Sequence, residues 1–208
     1  MTRWSTSGLG LLVLLIVAGW ASTPDTAPAP GGITLREDDD LDGGVWLAAG
    51  FGFRGYATLY IAAPQVDIAK PDPGDAESIE WAKGVLRDAL LSELGRSGVF
   101  RAVVARESDI RPGSRVLRFE TAIIDYAKGG GAGRWFGGEF GLGQPMVKVR
   151  GVFKDGATQV CVFEARRRGE SIGARLGGAF RSNRDIQRED IRDLAEDLTE
   201  YVQKISRR

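Results

Sequence analysis

The residues that could carry chemistry in this 208-residue chain are few, and histidine is not among them. Without imidazole there is no Ser-His or Cys-His nucleophile, no histidine metal ligand and no side chain whose ordinary pKa lies near neutrality. Carboxylates remain, but the spacing of Glu120, Asp125 and Glu139 singles out no acid–base pair. A carboxylate-based enzyme is therefore the last-ranked reading, and no catalytic residue, cofactor or metal ion is expected. Asp38-x-Asp40-x-Asp42-Gly43 matches the opening of a calcium loop. Its twelfth position is Ala49, where a bidentate carboxylate should close the shell, so the run reads as solvated acid. The single cysteine, Cys161, lies in Val160-Cys161-Val162-Phe163 and reads as a small buried hydrophobe.

Two stretches have residue types suited to binding. The first, 128–144 (KGGGAGRWFGGEFGLGQ), sets Arg134, Trp135, Phe136 and Phe140 among glycines. It matches neither phosphate-binding glycine motif and leads into a strand, where a phosphate cradle needs a helix. Three readings stay open: a strand connector, a partner-binding or self-association loop with aromatic anchors, and a loop whose rings touch a membrane. The second holds Arg166, Arg167 and Arg168, followed by Arg175, Arg181 and Arg184. These arginines either keep a strand end soluble or contact anionic lipid or wall polymer.

The elements that must position these residues follow from periodicity. Residues 57–66 form a nearly continuous apolar run, read as a strand ended by Pro64. Asp75 caps a helix with Ile79, Ala82, Val85, Leu86, Ala89, Leu90 and Leu94 on one side, closed by Gly95 or Gly98. Residues 99–105 make a second strand, and a strand-helix-strand crossover predicts that the two are parallel. Residues 116–126 form a third strand with Leu117, Phe119, Thr121 and Ile123 on one face. Residues 146–154 and 158–166 form a hairpin closed by Asp155-Gly156. A last helix beginning near Asn183 or Asp185 carries Ile186, Ile191, Leu194, Ala195, Leu198, Val202 and Ile205. The expected fold class is α/β (α+β): a mixed sheet of about five strands, order β-α-β-β-β-β-α, with the helices packed on it.

The amino terminus gives an address. Arg3 precedes the charge-free apolar run 8–19, and Gly19-Trp20-Ala21 offers small residues for cleavage. That run spans only about 18 Å against a hydrocarbon core of about 30 Å, so residues 1–21 read as a cleaved signal peptide. Val17-Ala18-Gly19 is the tripeptide that precedes the acylated cysteine of bacterial lipoproteins, but Trp20 follows it, so the chain is not expected to be lipidated. Residues 22–55 are expected to be flexible or irregular, and 56–208 to be one α/β domain. Balanced charge, 28 basic against 28 acidic residues, selects no nucleic acid. One cysteine allows no intramolecular disulfide.

The stretch 86–100 (LRDALLSELGRSGVF), the glycine run around Arg134 (GGGAGRWFGG) and 147–162 with its Asp155-Gly156 turn together resemble an uncharacterised family of Gram-negative envelope proteins. That family is known as a domain of unknown function and is often lipidated. The resemblance implies a fold similar to the amino-terminal domain of the Tol translocation protein and to the curli secretion lipoprotein. Trp20 departs from the lipidated members. The functional expectation is a non-enzymatic periplasmic or secreted envelope protein that contacts a protein partner or itself through Arg134, Trp135, Phe136 and Phe140. The alternative is a peripheral binder of an anionic membrane or cell-wall surface through Arg166, Arg167, Arg168, Arg175 and Arg181.

Overall fold

The computed structural model describes residues 33–129, 144–169 and 182–208. In chain order they form β1 (Arg36–Asp38), β2 (Gly43–Leu47), β3 (Thr58–Ile61), β4 (Gln65–Val66), α1 (Ala76–Arg96), β5 (Ala102–Val104), β6 (Val116–Ala127), β7 (Met146–Asp155), β8 (Thr158–Arg167) and α2 (Asn183–Ser206). The strands build one 8-stranded mixed sheet, order β1-β2-β8-β7-β6-β3-β5, with β4 added to β6. Both helices pack against each other and on the sheet.

The fold class is the expected one; the strand count is larger. Residues 33–55, expected to be irregular, supply β1 and β2, and β2 adds to β8 in antiparallel register from Gly43 opposite Ala165 to Leu47 opposite Cys161. Glycine hid this strand from hydropathy reading. Gly43 runs so close to its neighbour that a Cβ there would lie 1.9 Å from the Glu164 carbonyl oxygen, so the close approach requires glycine. The run 57–66 divides into β3 and β4 around Pro64, which has no N–H to give a ladder. Pairing resumes further along β6, with Gln65 opposite Ala122.

The crossover is as expected: β3 and β5 are parallel neighbours. The hairpin also forms, with Gly156 at φ 59, a left-handed conformation that glycine adopts without strain. Leu117, Phe119, Thr121 and Ile123 point to the helix-covered side, where Phe119, Phe153 and Phe163 fill the core with Phe53. The rings of Phe119 and Phe153 stack 4.1 Å apart, and Phe53 meets Phe153 edge-on. Gly151 makes room for them, because a Cβ there would lie 2.1 Å from the Phe163 ring. Cys161 is fully buried on this face, and burial pushes its thiol up to about 12. It serves as a small hydrophobe.

Candidate interaction site at the loop end of the sheet

Antiparallel pairing brings the ends of both candidate stretches together. Ala127 at the end of β6 pairs with Met146 at the start of β7, and Val147 pairs with Arg167 at the end of β8. The chain therefore leaves for 130–143 and for 170–181 at the same end of the sheet. Arg134, Trp135, Phe136, Glu139, Phe140, Arg175 and Arg181 lie outside the described residues, as do 1–32.

Polar contacts from the starts of both helices hold that end. The Asn183 side-chain amide donates to the backbone oxygens of Lys128 (2.7 Å) and Gly129 (3.0 Å). One turn on, Gln187 is 1 % exposed; it donates to the Ala127 carbonyl (3.0 Å) and accepts from the Tyr126 hydroxyl (3.0 Å). The Gly169 N–H donates to the buried Asp190 carboxylate at 2.8 Å. The Lys128 ammonium lies 2.9 Å from Asp75 and donates to the Gly74 carbonyl. Asp75 thus precedes α1 as expected but makes no side-chain cap; its carboxylate faces the ammonium. Ser182 caps α2 by accepting from the Asp185 N–H.

Burial makes this base electrostatically costly. Asp190 is pushed up to about 6, chiefly by desolvation, with repulsion from Asp193 adding to it while the Gly169 hydrogen bond and Arg167 act in the opposite direction. Burial likewise raises Tyr126.

The arginine cluster divides. Arg167 turns inward, with a side chain 11 % exposed, and pairs with Asp42 and Asp197. It cannot serve as a free surface cation, and its place among the expected anion-contacting arginines is corrected by those pairings. Arg166 and Arg168 are exposed and make no salt bridge among the described residues. Arg184 is exposed and pairs with Glu77.

The acidic run has its own structural uses. Asp40 pairs with Lys204 and Asp42 with Arg167, so these carboxylates tie the β1–β2 turn to α2 and β8. Glu120 is pulled upward by desolvation, but hydrogen bonds from Lys154 (2.6 Å) and Arg118 (2.8 Å) outweigh it and hold the carboxyl below its ordinary value. A carboxylate held ionised by two cations is a poor proton donor. Asp125 is exposed and accepts from the Tyr126 N–H. Among the described residues no group of three acidic or cysteine side chains could hold a metal ion, and no helix is long and apolar enough to cross a membrane.

Sequence reading missed Asp75, Lys128, Asn183, Gln187 and Asp190 as the base of this site. Their contacts link residues up to 61 positions apart, and the local signals that Asn183 and Asp75 carried were those of helix starts.

No protein-family model matches the chain, and no curated protein matches it. Solved structures do. A PelC dodecamer from Paraburkholderia phytofirmans is 14% identical, with 74% of this chain and 96% of that one covered at a TM-score of 0.45. A Xanthomonas campestris protein of the DUF330 family is 14% identical, covering 77% and 91% at 0.44. A minor lipoprotein from Acinetobacter baumannii is 14% identical, covering 72% and 94% at 0.31.

Proposed function

We propose that this chain is a non-enzymatic envelope protein, exported by a cleaved signal and not lipidated, that acts by protein–protein contact or self-association at the loop end of its sheet. Arg134, Trp135, Phe136 and Phe140 are the contact residues of this reading. The observation that supports it is the shared base: Asn183 binds the start of one glycine-rich stretch while Asp190 binds the start of the other. Chain segments fixed at their stems can present aromatic anchors to a partner at a lower ordering cost than free tails. The fold likeness to the Tol amino-terminal domain and to the curli secretion lipoprotein belongs to the same proposal.

The test is Trp135→Ala combined with Phe136→Ala. Each aromatic anchor is worth about 2 kcal/mol, roughly 30-fold in affinity. The double variant is expected to lose self-association in light scattering, or partner capture in a pull-down, with an unchanged melting temperature. Unchanged oligomeric state and unchanged partners would overturn the reading.

A further inference from the structure

The end of the molecule opposite the loops has a property that no stretch of the sequence announces. Five separate chain segments meet there: the 48–57 loop, the turn after α1, the turn before β6, the β7–β8 turn and the end of α2. The contacts that join them are specific. The Arg101 N–H donates to the Ala57 carbonyl, and Ala57 in turn donates to the Arg115 carbonyl. Gln203 of α2 donates to the Ser97 carbonyl at 2.9 Å. A groove of about 540 Å³ is lined by Leu47, Phe51, Gly52, Arg54, Ile205 and Arg208 among others.

Arg54, Arg101, Arg111, Arg207 and Arg208 lie on four of these segments, all are exposed, and none forms a salt bridge among the described residues. Two of the carboxylates nearby are already used. Asp155 accepts from the Tyr56 hydroxyl (2.6 Å) and from Arg115 (2.9 Å), whose guanidinium also lies over the Tyr56 ring, and Glu93 pairs with Arg96. In a chain of zero formal charge, such a set of unmatched cations is a local field with a fixed sense. Arg207 and Arg208 also complement the carbonyl end of α2. Arg54 and Arg111 lie at the end of no α-helix.

We propose that this basic end docks on an anionic lipid bilayer, with the guanidinium groups of Arg54, Arg101, Arg111, Arg207 and Arg208 receiving lipid phosphates and the groove above Gly52 seating one headgroup. A guanidinium presents planar paired donors to phosphate oxygens. The chemistry favours a bilayer over a nucleic acid. Phe51, half-buried against Phe53 and Tyr56, is a single ring in the groove, where single-stranded binders stack successive bases on several rings. A polymer would need a channel through all five arginines, whereas the groove is a local pocket lined by Arg54 and Arg208 alone of them.

The experiment is co-sedimentation of the full chain with phosphatidylglycerol vesicles and with phosphatidylcholine vesicles over a salt series. Binding is expected to phosphatidylglycerol only, weakening as salt rises. A basic residue near an anionic surface contributes about fivefold to partitioning, so Arg54→Ser, Arg101→Ser and Arg111→Ser together should weaken binding about 100-fold with the melting temperature retained. Gly52→Leu fills the groove from an extended backbone (φ -151), at a site where a Cβ meets nothing within 4 Å, and should weaken binding severalfold. No binding to phosphatidylglycerol would overturn the proposal, as would binding unaffected by the triple change or lost only with Arg166→Ser and Arg168→Ser. Capture by dextran sulfate beads without vesicle binding would move the site from bilayer to soluble polyanion and overturn it too. Binding unchanged by Gly52→Leu would overturn the headgroup seat.

Discussion

The two faces of the sheet are made by alternate residues of the same strands, yet they are held by different forces. Under the helices, Leu117, Phe119, Ile123, Val147, Val149 and Phe153 meet α1 and α2 in a dry core of stacked and edge-on rings. On the face away from α1 and α2 the intervening residues, with Asp67 and Glu107 beside them, form two ion lattices. Glu107, Arg118, Glu120 and Lys154 make one, and Asp67, Arg150, Glu164 and Lys148 the other. Between them Val162 sits opposite Val152 and Trp46 and is only 2 % exposed, with neither α1 nor α2 above it. Long charged side chains can shield apolar surface with their stems, so a sheet face can be closed by paired cations and anions lying flat on it. The difference teaches that burial here has two sources: packing on one side, lateral charge pairing on the other.

The largest expected effect breaks the packed side. Phe153→Ala removes the ring that stacks on Phe119 and meets Phe53, and should cost about 3–5 kcal/mol in denaturant unfolding. A loss below about 1 kcal/mol would mean that the helices do not close a dry core. The next effect breaks the charged side. Glu164 is 8 % exposed and bound by Arg150 (2.5 Å) and Lys148 (3.0 Å). Arg150→Ala leaves it one partner, with an expected cost of about 1–3 kcal/mol that high salt does not reproduce in the parent. A neutral result would reduce the lattice to surface decoration.

The smallest effect sharpens the contrast through pH. Each face buries a carboxylate with a shifted pKa, and the two move in opposite directions. Desolvation raises Glu164, but Arg150 and Lys148 outweigh it and hold it below 4.5. Its contribution is therefore present above the ordinary glutamate range and lost as pH falls through the lowered value. Asp190 on the covered side is raised to about 6 from 3.8. Between those values the folded chain keeps a proton that the unfolded chain releases, so Asp190 makes stability fall as pH rises from about 4 to about 6. Asp190→Asn should remove this slope: the melting temperature of the variant minus that of the parent should grow across that window. A flat difference would contradict the buried carboxylate.

Much of the architecture was legible along the chain. α1 and α2 carry apolar side chains at three- and four-residue steps, β6 alternates, and Asp155-Gly156 dictates its hairpin; each signal lies within a few residues and depends on backbone geometry alone. β2 was not legible, because Gly43 and Gly44 have no side chains to form a pattern and owe their place to contact with Glu164 and Leu35. Arg167 looked like its neighbours in sequence, but alternation turns it toward Asp197 on α2 while Arg166 faces the open side. Of the site expected at 128–144, the glycine and aromatic composition was visible; the Asn183, Gln187 and Asp190 base beneath it was not.

The sequence by itself determined what local chemistry can determine: the absence of imidazole catalysis, a charge-free apolar run near the amino terminus, the class of fold and the kinds of residue available for contact. The tertiary structure decided which charges are free. Pairing depends on atoms within about 4 Å, and the partners of Arg115, Arg150, Arg167 and Lys204 lie from 14 to 164 residues away. Only once those pairs were formed did Arg54, Arg101, Arg111, Arg207 and Arg208, from distant segments at one end of the sheet, stand out as without a salt bridge among the described residues.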